Sequence, residues 1–196
     1  MTLSEQLAAI RSGAMYNDLT PELDAARAEA VRLTDAYAAS RGRPSPEREE
    51  ILRQLLGSVG RGAFFEPTFR CEFGVNIHIG DHFYANFDAV MLDGGGITIG
   101  DRVLLGPRVA IYTSNHAIDA GERAAGACWA APVTIGDRCW IGGGVTINPG
   151  VTIGAGTIIG SGSVVTSDIP AGVVAAGVPC RVLREITAAD VTGWRP

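Results

Sequence analysis

From Ile135 to Pro170 the chain reads in sixes: IGDRCW, IGGGVT, INPGVT, IGAGTI, IGSGSV and VTSDIP. Position one is Ile135, Ile141, Ile147, Ile153, Ile159 and Val165; position two is Gly in four of the six. Position five is Cys139, Val145, Val151, Thr157, Ser163 and Ile169, small or aliphatic throughout. Neither the helical period nor the alternation of a strand fits. A six-residue period is the signature of a parallel β-helix, in which each hexad forms one flat side of a triangular coil. Position one then points inward and stacks one coil away, Ile135 on Ile153, with Ala171 expected at the coil edge beyond Ile153. The glycines are expected at corners that need backbone dihedrals closed to other residues.

The phase runs backwards through IGDRVL, LGPRVA and IYTSNH, from Ile99 to His116, and through IGDHFY and ANFDAV, from Ile79 to Val90, with FGVNIH before them. Met91 to Thr98 is a hexad with two extra residues. The interval from Ile111 to Ile135 is a whole number of hexads, so the coil is expected to be interrupted at 117–134 and resumed in frame. A long loop inside a compact domain is usually functional.

Residues 1–60 differ in kind. Ser4 to Arg11 suits a short helix. Thr20-Pro21-Glu22 and Ser45-Pro46-Glu47 each combine a hydroxyl cap, Pro in the first turn and an acid behind it, which starts a helix. The first of these is expected to end near Ser40-Arg41-Gly42, the second at Gly57 to Gly60. The organisation is a helical segment at 1–60, a β-helix at 61–180 and an irregular tail with one helical turn at 181–196. The fold class is mainly β.

A formal net charge of −5 gives no basic footprint for nucleic acid. No apolar run approaches a membrane span, and no basic-then-apolar start reads as a signal peptide. The four cysteines form no CxxC pair, which suits free thiols in a reducing compartment, so a cytoplasmic location is expected. The glycine clusters lack both the third Gly of a dinucleotide fingerprint and the GK[ST] of a P-loop.

His116 takes the last position of its hexad, where the side chain points outward, and it opens the excursion. Its ordinary titration range suits a general base; the same position also suits a surface histidine with no role. Asn86 stands where most repeats carry Gly, as a residue tolerant of the left-handed conformation or as an amide facing a ligand. Asp18 and Asp93 read as exposed acids. Trp140 is an outward aromatic with a ligand or partner chain to cover. His78 and His82 are four apart in strand-like sequence, which does not bring them together, so no metal site is expected.

These hexads and the loop after His116 resemble the hexapeptide-repeat acyltransferases, whose fold is a left-handed parallel β-helix. Met15-Tyr16 with Asp18, Phe69-Arg70-Cys71, Phe83 to Phe87, Thr113 to His116, Trp140-Ile141-Gly142, Ile147 to Val151 and Ala175 to Pro179 are similar to the maltose and galactoside O-acetyltransferase group. The resemblance implies an acetyl-CoA-dependent O-acetyltransferase acting on a sugar-like acceptor, as a homotrimer with sites between subunits. It implies His116 as general base and Asn86 as a catalytic residue lining both the acceptor and the thioester site. On the acceptor side it places Asp18, Glu72, Tyr84, Asp93 and Cys128. Along the CoA groove it places Trp140, Gly143, Ser161, Thr166, Ser167, Arg181 and Arg184, with the Gly143 N–H facing the oxyanion. The chain departs from the group at Ala117, where Pro is usual, at Ser167, where Lys is usual, and at Cys128-Trp129 in the loop.

Two alternatives compete: a hexapeptide acetyltransferase for a non-sugar hydroxyl, and a non-catalytic trimeric scaffold. The helical segment argues against the first, and His116, Asn86 and Trp140 together argue against the second. A γ-type carbonic anhydrase would need three zinc histidines at another spacing.

Overall fold

The computed structural model describes residues 1–40, 42 and 45–195. From Ser58 onward the chain winds through three sheets that wall a prism. The first wall holds 58–59, 77–79, 97–99, 133–135 and 152–153. The second holds 64–65, 84–85, 104–105, 140–141, 158–159 and 173–176. The third holds 70–71, 90–92, 110–112, 146–147 and 164–165. Neighbouring coils pair in parallel, Ile99 opposite Ile135 opposite Ile153, Ile141 opposite Ile159, and Ile147 opposite Val165. The position-one side chains are buried in one continuous core. Each such side chain contributes about 1.5–3 kcal/mol by leaving water.

Two details of the stack differ from the hexad reading. Ile153 sits under Ile169 and not beside Ala171, because the step from Ile153 to Ile169 falls short of three full hexads, whereas that from Ile135 to Ile153 completes them. The position-two glycines are not the left-handed ones. A Cβ at Gly142 would lie 2.5 Å from Ser161 N, and one at Gly154 2.3 Å from Ala171 N, so the next coil leaves no room for a side chain. Position four carries the left-handed backbone: Gly144, Gly150, Gly156 and Gly162, and also His82, Asp88, Arg102, Arg108 and Arg138.

The β-helix starts before residue 61, since Ser58 and Val59 already pair with His78 and Ile79. The tail is not irregular at its start: Arg181–Glu185 lies antiparallel on Val173–Ala176, followed by a 3₁₀ turn at Ala188–Asp190.

Three helices precede the coils: α1 (Leu3–Arg11), α2 (Pro21–Ala39) and α3 (Pro46–Leu55). Thr2, Thr20 and Ser45 cap them through their hydroxyls. Ser40 is the C-cap of α2; Arg41 lies outside the described residues. Ala30, Leu33, Tyr37, Leu52 and Leu55 join the core of the first coil at Phe65 and Phe69. The Tyr37 hydroxyl donates to Phe65 O and accepts from Phe65 N. The helices thus cover the open end of the prism, whose aromatic interior would otherwise meet water. Arg48 is buried there with its guanidinium 4.0 Å from the Tyr37 ring, donating to the carbonyls of Tyr37, Ser40 and Phe65.

The excursion begins earlier than expected. Ser114–His116 leaves the prism as a strand, so IYTSNH is a coil side only as far as Thr113. It pairs antiparallel with Ala127–Ala130, and Tyr16–Asn17 adds a third strand. A short helix, α4 (Ala120–Ala124), forms the tip behind the Asp119 cap. The chain is back in the first wall at Val133.

Candidate active site

All departures from the six-residue period fall at one corner, between the third and first walls. Cys71 to Ile79 and Met91 to Ile99 each overrun a hexad, and Ile111 to Ile135 overruns it several-fold, where Ile147 to Ile153 is a single hexad. The extra residues of the lower two coils build a support. Asp93 is fully buried, and its carboxylate accepts from the N–H groups of Glu72, Phe73, Gly74 and Asn76 at 2.8–3.2 Å. Burial pushes its carboxyl above the ordinary range, against the N–H donors that favour the charge. The exposure expected for Asp93 is therefore corrected: the side chain is buried and organises the turn that presents Glu72.

On this corner lies a cleft of about 370 Å³ lined by Tyr16, Asp18, Arg27, Glu72, Ser114, His116 and Cys128, with Val31, Cys71 and Leu92 as apolar sides. Arg27, from the half-buried flank of α2, pairs with Asp18 and, at 2.9 Å, with Glu72. Burial pushes the Glu72 carboxyl up, and Arg27 opposes it. Burial, with Glu72 and Asp18 nearby, pushes the Tyr16 phenol to about 12, so it stays a hydroxyl. His116 is exposed in the ribbon, with Nδ1 3.1 Å from Cys128 Sγ. The cleft therefore holds one imidazole, two carboxylates and one guanidinium, a set able to hold a polyhydroxylated molecule and take a proton from it.

The other expected residues lie elsewhere on the chain. Asn86 has no left-handed backbone, a conformation that falls instead to Asp88; its Oδ1 accepts from Phe87 N. Tyr84 stacks on Phe64 with its hydroxyl 3.4 Å from Glu66. Trp140 is 55% exposed on the second wall. Gly143 and Ser161 sit on the regular upper coils, and Thr166 and Ser167 follow Val165 in the shortened step to Ile169. The Arg181 guanidinium donates to Cys180 O. Arg184 is held by Asp190 through two contacts of 2.8 and 2.9 Å, which depress that carboxyl to about 2. None of these lines the His116 cleft. His78 and His82 stand apart, His78 Nδ1 at 3.0 Å from Ser58 and His82 at a left-handed corner. The described residues include no group of three or more His, Cys, Asp or Glu placed to hold a metal ion.

Sequence reasoning misses Arg27, Tyr16 and Ser114 as cleft residues. Arg27 reads only as part of the amphipathic pattern of α2, and nothing local signals its contacts with Asp18 and Glu72. The pairing of Tyr16 with Cys128 joins segments from opposite halves of the chain.

Comparison with known proteins agrees with this architecture. Residues 10–60 match the maltose acetyltransferase hexapeptide capping motif, and residues 132–167 match the bacterial transferase hexapeptide (six repeats). The galactoside O-acetyltransferase of Escherichia coli K12 is 42% identical over 92% of this chain and 89% of its own. A maltose O-acetyltransferase from Clostridium difficile superposes with a TM-score of 0.90 at 46% identity, covering 95% of this chain and 98% of that one. A galactoside acetyltransferase in complex with coenzyme A superposes at 0.87 and 42% identity, covering 97% and 94%. The chain belongs to the hexapeptide-repeat acetyltransferases, in the maltose and galactoside O-acetyltransferase group.

Proposed function

We propose that this protein transfers the acetyl group of acetyl-CoA to a hydroxyl of a sugar, with His116 as general base. The observation that carries this reading is the cleft itself. It is the place where an exposed imidazole meets hydrogen-bonding side chains suited to a sugar, in a chain whose relatives are named for sugar acetylation. The relative solved with coenzyme A supports the donor.

In the reaction the acceptor oxygen attacks the thioester carbon while His116 takes its proton. The C–O bond forms, the C–S bond breaks, and the proton passes to the departing CoA sulfur. Asp18, Glu72 and Arg27 would orient the acceptor hydroxyls. Asn86 and the Gly143 N–H would face the thioester and its oxyanion, with Trp140, Ser161, Thr166, Ser167, Arg181 and Arg184 along the CoA path. Those residues lie off the His116 cleft within one chain, so the reading calls for a homotrimer in which a neighbouring copy completes the site. Sedimentation at micromolar concentration tests this, and a monomer of full activity would contradict it. Free thiols at Cys71, Cys128, Cys139 and Cys180 suit a cytoplasmic setting.

His116→Ala tests the base. Its side chain fills no core, so melting should hardly change, while turnover should fall by about 10² to 10⁴. Near-normal turnover with every sugar offered would remove His116 from the mechanism.

A further inference from the structure

The contact between His116 and Cys128 has a consequence for the proton on the imidazole. The two residues are directly opposed in the antiparallel ribbon, which places their side chains on one face. Cys128 also opposes Tyr16 on its other side, so the middle strand is held from both edges. Its side chain is buried, at 2% exposure, and Sγ lies 3.1 Å from Nδ1. Nδ1 is thereby occupied, and Nε2 is the nitrogen left to meet an acceptor. Which nitrogen carries the proton is set by the partner of the other.

We propose that Cys128 is a positioning residue: its sulfur accepts the Nδ1–H of His116, leaving the Nε2 lone pair free to take the proton of the acceptor hydroxyl. The inference rests on His116 acting as base. A thiol could instead donate S–H to Nδ1, but the imidazole would then carry its proton on Nε2 and could not accept another there. Once Nε2 is protonated, Nδ1 must be N–H, and sulfur can only accept. The arrangement with Nδ1–H directed at sulfur is therefore the one that persists through the transfer. Burial raises the Cys128 thiol, which stays neutral and brings no charge into the pair.

The test uses the full-length protein labelled with ¹⁵N-histidine. Above the imidazole transition, the wild type should show His116 protonated on Nδ1, and Cys128→Ala should shift the population towards Nε2. Cys128→Ser, which keeps an acceptor, should restore the first pattern. In steady state Cys128→Ala should lower kcat by part of the about 10² to 10⁴ that general-base help supplies, with KM for acetyl-CoA unchanged, and Cys128→Ser should recover most of it. A wild-type His116 protonated on Nε2, or an unaltered tautomer and kcat in Cys128→Ala, would overturn the proposal. The wild-type spectrum decides the matter even if a variant folds poorly. If His116→Ala were fully active while the wild-type spectrum showed Nδ1–H, the base would be wrong and the pairing with Cys128 would stand.

Discussion

The upper coils and the lower coils of the prism obey the same hexad rule and do different things with it. Above, from Val133 to Val165, a full turn is three hexads, as from Ile135 to Ile153, every corner is tight, and position-one side chains stack directly. Below, from Ser58 to Tyr112, each turn is longer than three hexads, as from Ile77 to Ile97, and the additional residues always fall at the same corner. At the third coil that corner releases the whole ribbon from Ser114 to Ala130. Regular repetition builds a wall, with no freedom to place a functional side chain except outward. Local excess at one corner, stacked over successive coils, makes a concavity where residues from α2, the Asp93-supported turn and the ribbon meet. A solenoid can carry such insertions because each coil contacts only its neighbours.

The sharpest break of that comparison is in the upper wall. Ile153→Asp would bury an unpaired charge between Ile135 and Ile169, costing several kcal/mol, and should give insoluble or unassembled protein. Soluble protein with unaltered melting would show that the stack does not hold the fold. Next comes the lower corner. Asp93→Ala leaves four N–H groups without their acceptor, each worth about 1–3 kcal/mol when buried and unpaired. Denaturant melts should show a large loss, and acceptor KM should rise because the Glu72 turn loses its anchor.

A finer comparison sets the two kinds of glycine against each other within one coil. Gly156→Ala meets open space and suffers only the left-handed backbone, about 1–2 kcal/mol. Gly154→Ala meets Ala171 N at 2.3 Å and should cost more, because a backbone must move. Equal losses in urea unfolding would mean that the coils slide apart freely. The smallest effect belongs to the tail. With its pKa at about 2, Asp190 stabilises the 3₁₀ turn above the ordinary carboxylate value of 3.8 and loses that contribution as pH falls from there towards 2. Hydrogen-exchange protection at 187–190, taken relative to the intrinsic rate at each pH, should fall over that window and in Asp190→Asn, with global melting unchanged by the substitution.

The prism was legible because its constraint is local and repeated: an aliphatic residue every six positions has one packing solution, and Ile135 over Ile153 follows from counting. The helix starts were legible for a related reason, since Thr20-Pro21 and Ser45-Pro46 satisfy their own first turns. The position-two glycines were legible as repeat residues, but their reason was not. Position two is closed by the coil above it, a contact that no single hexad contains. Asp93 looks like a solvated acid in sequence because the N–H groups it serves belong to the preceding coil, at Glu72 to Asn76.

The sequence by itself determined the period, the walls, the helix starts and the residue types available for chemistry, because each follows from neighbours along the chain. Only the tertiary structure decided that Arg27 would bind both Asp18 and Glu72, that the ribbon would leave the coil at Ser114, and that Cys128 would meet His116. Those contacts join segments with no shared period, and their partners are selected by where one swollen corner of the prism brings them.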